Sequence, residues 1–195
     1  MTVAGLPGIQ AELVPALDMF TKTALENPDV EICGALIYRH LQADLSYDGQ
    51  EPTWLFEIDF VQLENVHLTP AEGFQIKTDE LVKVLQGELD HLHLLAASVS
   101  DESIFAAGFS PLVGIVHSHP AGTTDPSHAD YLLLEAASTW RRATAPGAIL
   151  SGDPKEGKFY EADYIFALHK DEGPNVGTLV HFKRGSKRAE WKGNF

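Results

Sequence analysis

The chain has 195 residues, a formal net charge of −14 at pH 7, 44% hydrophobic and 22% charged residues, and one cysteine. The acidic balance argues against a phosphate-backbone partner, the lack of any run of 18 apolar residues against a membrane-spanning helix, and the lone Cys33 against an internal disulfide. The composition is that of an ordinary soluble globular chain, expected to form one domain over residues 1–182 with a basic, solvated tail over 183–195.

The opening residues, Met1 to Pro7, lack the basic and apolar regions of a signal peptide. Together with the single cysteine, this makes a cytoplasmic location the expectation. Leu13, Leu17, Met19, Phe20, Ala24 and Leu25 recur at mostly helical spacing, so residues 9–25 read as an amphipathic helix that Asn27-Pro28-Asp29 ends. Glu31 to Tyr38 reads as a strand, with Cys33, Ala35 and Ile37 on one face and Ile32, Gly34, Leu36 and Tyr38 on the other. Gly34, having no side chain, allows a neighbouring backbone to come close. Asp48-Gly49 marks a turn, and Trp54 to Leu63 is the next strand. Glu57 and Glu64 suit solvent-facing positions at this strand, and His67 just beyond it reads as a structural or surface histidine.

Asp79 to Leu95 reads as a second helix capped by Thr78. Its His91 and His93 are two apart, and on a helix such residues point in different directions and cannot chelate together. Residues 96–110 are small and polar apart from Ile104, Phe105 and Phe109, and read as a loop whose aromatic side chains tuck into the core or contact a substrate.

Leu112 to Val116 forms a short buried strand that delivers His117 and His119 at its end. Strand alternation points both imidazoles the same way. Pro120 and Gly122 break the strand, and Ser127 opens a helix running to about Arg142, with Asp130 in its first turn. Two imidazoles and a carboxylate are the three-ligand set of a catalytic zinc site with one position left for water. Ser127-x-x-Asp130 equally fits a capping box, and His128 reads as a surface residue. Pro146-Gly147 ends the helix, Ala148 to Leu150 and Tyr160 to Leu168 read as strands, and Gly177 to Lys183 adds a last one.

His117-Ser118-His119-Pro120 followed by Ser127 and Asp130, an H-x-H-x7-S-x2-D pattern, resembles the JAMM (MPN+) metalloprotease family. Asn27 to Leu36 looks like the family's upstream element, with Glu31 in the place of its catalytic glutamate. The resemblance covers roughly residues 10–168 and implies an α/β/α sandwich, a mixed and curved sheet flanked by helices. It also implies a hydrolase with one catalytic Zn2+, held by His117, His119 and Asp130. Glu31 would be the general base, with Glu57 and Glu64 as rivals, and Ser127 would donate to the tetrahedral oxygen. Ser118, on the other strand face, would serve by supporting hydrogen bonds. The expected substrate is a protein, cut at a peptide or isopeptide bond at the tail of a ubiquitin-like protein. Residues 96–110 fall where ubiquitin-specific members carry an insertion. The short, cysteine-free segment at 153–157 implies that the second, structural zinc of some eukaryotic members is absent. Phage tail-assembly JAMM proteins and non-catalytic MPN scaffolds are the other readings. RadC-like proteins normally have Asn where Ser118 stands, which argues against that branch.

Overall fold

The first helix starts where a proline permits it. In a computed structural model, which describes residues 3–44, 53–99, 111–133, 163–182 and 189–195, a 3-10 turn at Ala11–Leu13 leads into α1, Val14–Glu26. Pro15 lies in the first turn of α1, where its missing N–H costs nothing, and Pro28 follows the helix end. This is later than the Ile9 start expected from apolar spacing. Leu17, Phe20 and Ala24 are fully buried, whereas Met19 is largely exposed.

Among the described residues, six strands form one mixed sheet in the order β2-β1-β3-β4-β5-β6. They are β1 (Cys33–Asp44), β2 (Thr53–Leu63), β3 (Leu112–His119), β4 (Asp163–Leu168), β5 (Val176–Phe182) and β6 (Ala189–Asn194). Only β3 and β4 run parallel, and the other neighbours are antiparallel. α1 packs on one face with Leu36, Tyr38, Val116 and Phe166. α2 (Thr78–Val99) packs on the other through Leu81 and Leu85 against Cys33, Ala35, Ile37 and Ile115. The alternation expected along β1 is therefore the one observed. With helices on both faces, β3 is buried along its whole length.

Gly34 behaves as its place in a strand suggests. A Cβ there would lie 2.4 Å from both the Val61 carbonyl oxygen and the Phe60 ring, so the β1–β2 approach depends on its absence. β1 also runs six residues past the expected Tyr38. Pairing with β2 continues through Gln42–Leu55 to Asp44–Thr53, across a register shift between Arg39 and Gln42.

Two further boundaries differ from expectation. α2 continues to Val99, so residues 96–99, expected in a loop, are helical, as two alanines in succession favour. The C-terminal stretch 183–195, expected to be a solvated tail, instead contributes β6, whose residues pair with β5 from Val176–Asn194 to His181–Ala189. Trp191 packs onto the core and its indole N–H donates to the Pro7 carbonyl at 3.0 Å, which anchors the strand. The Asp48-Gly49 turn, the 100–110 segment, the helix beyond residue 133, Ala148 to Leu150, the 153–157 segment and the basic residues 183–188 lie outside the described residues.

Candidate metal centre

The end of β3 and the start of β1 meet because the two strands are antiparallel, with Cys33 opposite His117. Continuing that register by two residues sets Glu31 opposite His119, on the face that His117, His119 and Cys33 share. Hydrogen bonds hold the extension in place. Ile32 N–H donates to Ser118 Oγ at 2.9 Å, and Ser118 N–H donates to the Ile32 carbonyl at 2.8 Å. Ser118 is thus fully buried on the opposite face, tying down the residue next to Glu31. This is the supporting part expected of it.

After β3 the chain turns at Gly122, whose φ of +76° suits glycine. A Cβ there would also lie 2.8 Å from the Leu168 carbonyl oxygen. The next helix, α3, is described over residues 128–133. Asp130 N–H donates to Ser127 Oγ at 3.2 Å while Ser127 N–H donates to Asp130 Oδ2 at 2.6 Å, a reciprocal capping box. The capping and ligand readings of this pair are not exclusive, because the cap is what orients the carboxylate.

His117, His119 and Asp130, all buried, form the His/Cys/Asp/Glu group among the described residues that could hold a metal ion, their donor atoms lying within 4.8 Å of one another. The two Nε2 atoms are 3.1 Å apart. Asp130 Oδ1 is 3.3 Å from His117 Nε2, and Oδ2 is 3.7 Å from His119 Nε2. His119 Nδ1 lies 2.7 Å from the Thr123 carbonyl oxygen, which can only accept, so Nδ1 carries the proton. The neutral ring then presents the Nε2 lone pair inward, the orientation a metal-ligating histidine takes when its other nitrogen is hydrogen-bonded. The His117 ring stacks on Phe74 with centroids 4.6 Å apart, which limits its rotation.

Electrostatics follow from burial and from this convergence. Burial disfavours a charged His117 and lowers its pKa, although Asp130 opposes the shift. His119 is buried too, but bonding to Asp130 and to the Thr123 carbonyl outweighs burial and raises its pKa. Burial would also raise the Asp130 carboxyl, yet the adjoining His117 and His119 imidazoles hold it well below the usual carboxylate range. Glu31 is pushed up to about 7 by burial, against the pull of His119 and with the repulsion of Asp130 added.

A cavity of about 300 Å3 opens beside these groups, lined by Glu31, His119, Ser127 and Asp130 together with His67 and Phe74. Glu31 is 8% exposed, and among the described residues no side-chain or backbone donor bonds its carboxylate. The rival acids lie elsewhere: Glu57 is exposed on β2, opposite Arg39, and the exposed Glu64 is ion-paired with Lys77. His91 and His128 are exposed, and neither belongs to the metal-capable group. The His93 side chain lies outside the described residues.

The wall formed by residues 65–76 had no signal in the sequence. Asn65 organises it: Nδ2 donates to the carbonyls of Glu31 at 2.9 Å and Gly73 at 3.2 Å, while Oδ1 accepts from the N–H groups of His67 and Gln75. Glu31 N–H donates to the Pro70 carbonyl at 2.7 Å. His67, expected to be structural or on the surface, is half-buried in this wall, with Nδ1 accepting the Thr69 N–H at 3.1 Å. The asparagine and histidine would read as ordinary loop residues without the fold that brings their loop to Glu31.

Among the described residues, no helix is long and apolar enough to cross a membrane. Comparison with known proteins adds the family. No match was found among curated proteins. The solution structure of protein DSY2949 from Desulfitobacterium hafniense is similar at 17% identity, covering 91% of this chain and 86% of that one with a TM-score of 0.40, too loose a likeness to build on. Residues 13–163 match the family model for prokaryotic homologs of the JAB domain, a span that holds Glu31, both histidines, Ser127 and Asp130. With more than half of its length matched, the chain belongs to the prokaryotic homologs of the JAB domain.

Proposed function

We propose that the protein is a zinc-dependent hydrolase of peptide or isopeptide bonds in protein substrates. The observation that carries this reading is the buried Glu31 carboxylate, without a hydrogen-bond donor among the described residues, opening into the same cavity as His119, Asp130 and Ser127. A structural carboxylate so buried would be expected to have a partner. A general base is left free to take a proton.

The donor set suits zinc: two imidazole nitrogens and one carboxylate oxygen would hold the ion and leave one coordination position for water. A zinc ion bound there supplies Lewis acidity, bringing the pKa of a water from about 15.7 to about 7 and polarising the scissile carbonyl. Glu31 takes a proton from the attacking water as its oxygen bonds to the carbonyl carbon. It then passes that proton to the nitrogen as the C–N bond breaks, so a carboxyl group and an amine leave. Ser127 Oγ spends a lone pair on the Asp130 N–H, which leaves the hydroxyl proton free to donate to the tetrahedral oxygen.

For the substrate, the resemblance to deubiquitinases supports an extended, Gly-rich tail of a ubiquitin-like protein, and the small lining residues Ala71, Gly73 and Ala121 suit such a tail. A cytoplasmic location belongs to the same proposal. The scaffold reading loses support from the convergence of all three donors. The test is incubation of zinc-loaded protein with fluorogenic peptides and ubiquitin-like fusions, with and without a chelator. Cleavage that stops on chelation and returns with zinc is expected. Zinc-loaded protein that cuts none of these substrates would overturn the reading.

A further inference from the structure

His67 lines the same cavity as Glu31 and has no part in the chemistry above. Its ring is fixed at Nδ1. Thr69 N–H donates to that nitrogen at 3.1 Å, whereas the Thr69 carbonyl, 3.0 Å away, already accepts the Glu72 N–H at 2.9 Å. Nδ1 therefore accepts, and the neutral imidazole carries its proton on Nε2. The ring tip lies over Gly73, another residue of the cavity lining, where a Cβ would stand 3.4 Å from Nε2. Among the described residues the Nε2–H has no acceptor.

A second observation ties this ring to the proposed base. Asn65 Oδ1 accepts the His67 N–H at 3.0 Å, and Nδ2 of the same amide donates to the Glu31 carbonyl at 2.9 Å. One side chain thus sets both residues, and they stand close enough for a charge on His67 to lower the Glu31 pKa. An N–H held beside a general base, with no protein acceptor, finds one in whatever fills the cavity. An anionic ligand would bring its charge beside the Glu31 carboxylate, whereas an amide carbonyl offers a neutral acceptor.

We propose that His67 is a substrate-binding residue whose Nε2–H donates to a main-chain carbonyl oxygen close to the scissile bond. This deepens the hydrolase reading and rests on it. A main-chain contact reads an extended chain rather than its side chains, so it suits a Gly-rich sequence that offers little else to hold. The bond forms in the ground state and persists to the transition state, so it acts on KM and leaves kcat unchanged.

The test uses the quenched-fluorescence hexapeptide Ala-Leu-Ala-Gly-Gly-Lys. Zinc-loaded His67→Ala should cleave it with KM raised about 2- to 12-fold, the worth of one neutral hydrogen bond, and with the parent's kcat. His67→Gln, whose amide keeps a donor, should recover part of that loss. In a series of hexapeptides with one carbonyl oxygen at a time replaced by sulfur, a weaker acceptor, one position should raise KM for the parent but not for His67→Ala. The hexapeptide is also titrated into zinc-loaded Glu31→Gln protein carrying isotope-labelled histidine, so that NMR reads the ring nitrogens without turnover. The His67 proton should sit on Nε2, and that nitrogen should shift on saturation. An unchanged KM in His67→Ala, or a sulfur series that affects parent and variant alike, overturns the inference and leaves the hydrolase reading standing. Binding that leaves Nε2 unmoved overturns it too. If the parent cuts no peptide, yet the hexapeptide binds and shifts Nε2, the carbonyl contact stands and the hydrolase reading falls. Neither cleavage nor binding overturns both.

Discussion

Ser118 accepts the Ile32 N–H on its side chain and returns its own N–H to the Ile32 carbonyl, at 2.9 and 2.8 Å. The pair lies on the sheet face away from the histidines, yet it fixes where Glu31 stands, because Ile32 adjoins Glu31 and the β1–β3 register passes through it. Ser118→Ala removes the acceptor and leaves a buried N–H without a partner. Stability should fall by about 1–3 kcal/mol. Turnover should fall further than the unfolded fraction explains, with zinc content unchanged. Denaturant unfolding, metal analysis and rates on the same preparation check this.

The raised carboxyl of Glu31 makes a signed prediction for the metal-free protein. Its folded pKa of about 7 lies above the ordinary 4.5, so folding carries no penalty from this group below about 4.5 and loses stability as pH rises through about 7. Glu31→Gln should therefore gain in Tm relative to the parent between these values, the difference levelling above them. Zinc loading brings a cation near the carboxylate and should shrink the gap. Parallel thermal scans across pH, with and without zinc, measure it. A pH-independent difference would mean that Glu31 is solvated and its pKa ordinary.

Zinc should stabilise the folded chain by mass action, about 4 kcal/mol at a free concentration 1,000 times Kd. His119→Ala removes one of the three donors and the Thr123 anchor, and should abolish most of that shift. Thermal scans against zinc concentration decide this, and a zinc response surviving in His119→Ala would place the metal elsewhere.

Ser127 caps α3 through Oγ, and the proposed mechanism gives its hydroxyl proton a second, separable task. Ser127→Ala should cost about 1 kcal/mol of stability, whereas Ser127→Gly should cost only a few tenths. Both should lower turnover by about 10²–10³-fold. Turnover that tracks stability across the two variants would reduce Ser127 to a cap.

Two glycines should respond oppositely to alanine. At Gly34 a Cβ meets the Val61 carbonyl oxygen and the Phe60 ring at 2.4 Å, so Gly34→Ala should destabilise by about 1–3 kcal/mol or more. Gly87 is exposed in α2 with nothing within 4 Å, and Gly87→Ala should stabilise by about 0.5–1 kcal/mol. Urea midpoints for both variants test the packing of β1 on β2.

Local chemistry made much of this protein legible from its residues in order. The apolar run before His117, the two-residue spacing of the histidines and the Ser127–Asp130 pair encode a strand end, a turn and a capped helix, and all three are short-range. The alternating faces of β1 and the closeness permitted at Gly34 are short-range as well. Tertiary structure alone decided which carboxylate faces the metal-capable group. Glu31, Glu57 and Glu64 all adjoin strands, and only the β1–β3 register, locked at Ile32 and Ser118 across 86 residues of chain, sets the first beside His119. It alone also made residues 189–194 an edge strand among the described ones, through pairing with β5 and the Trp191 anchor. The physical reason is the same in both cases: spacing along the chain reports which way a side chain faces within its own element. Which element lies opposite depends on backbone hydrogen bonds between distant segments, and those leave no local mark.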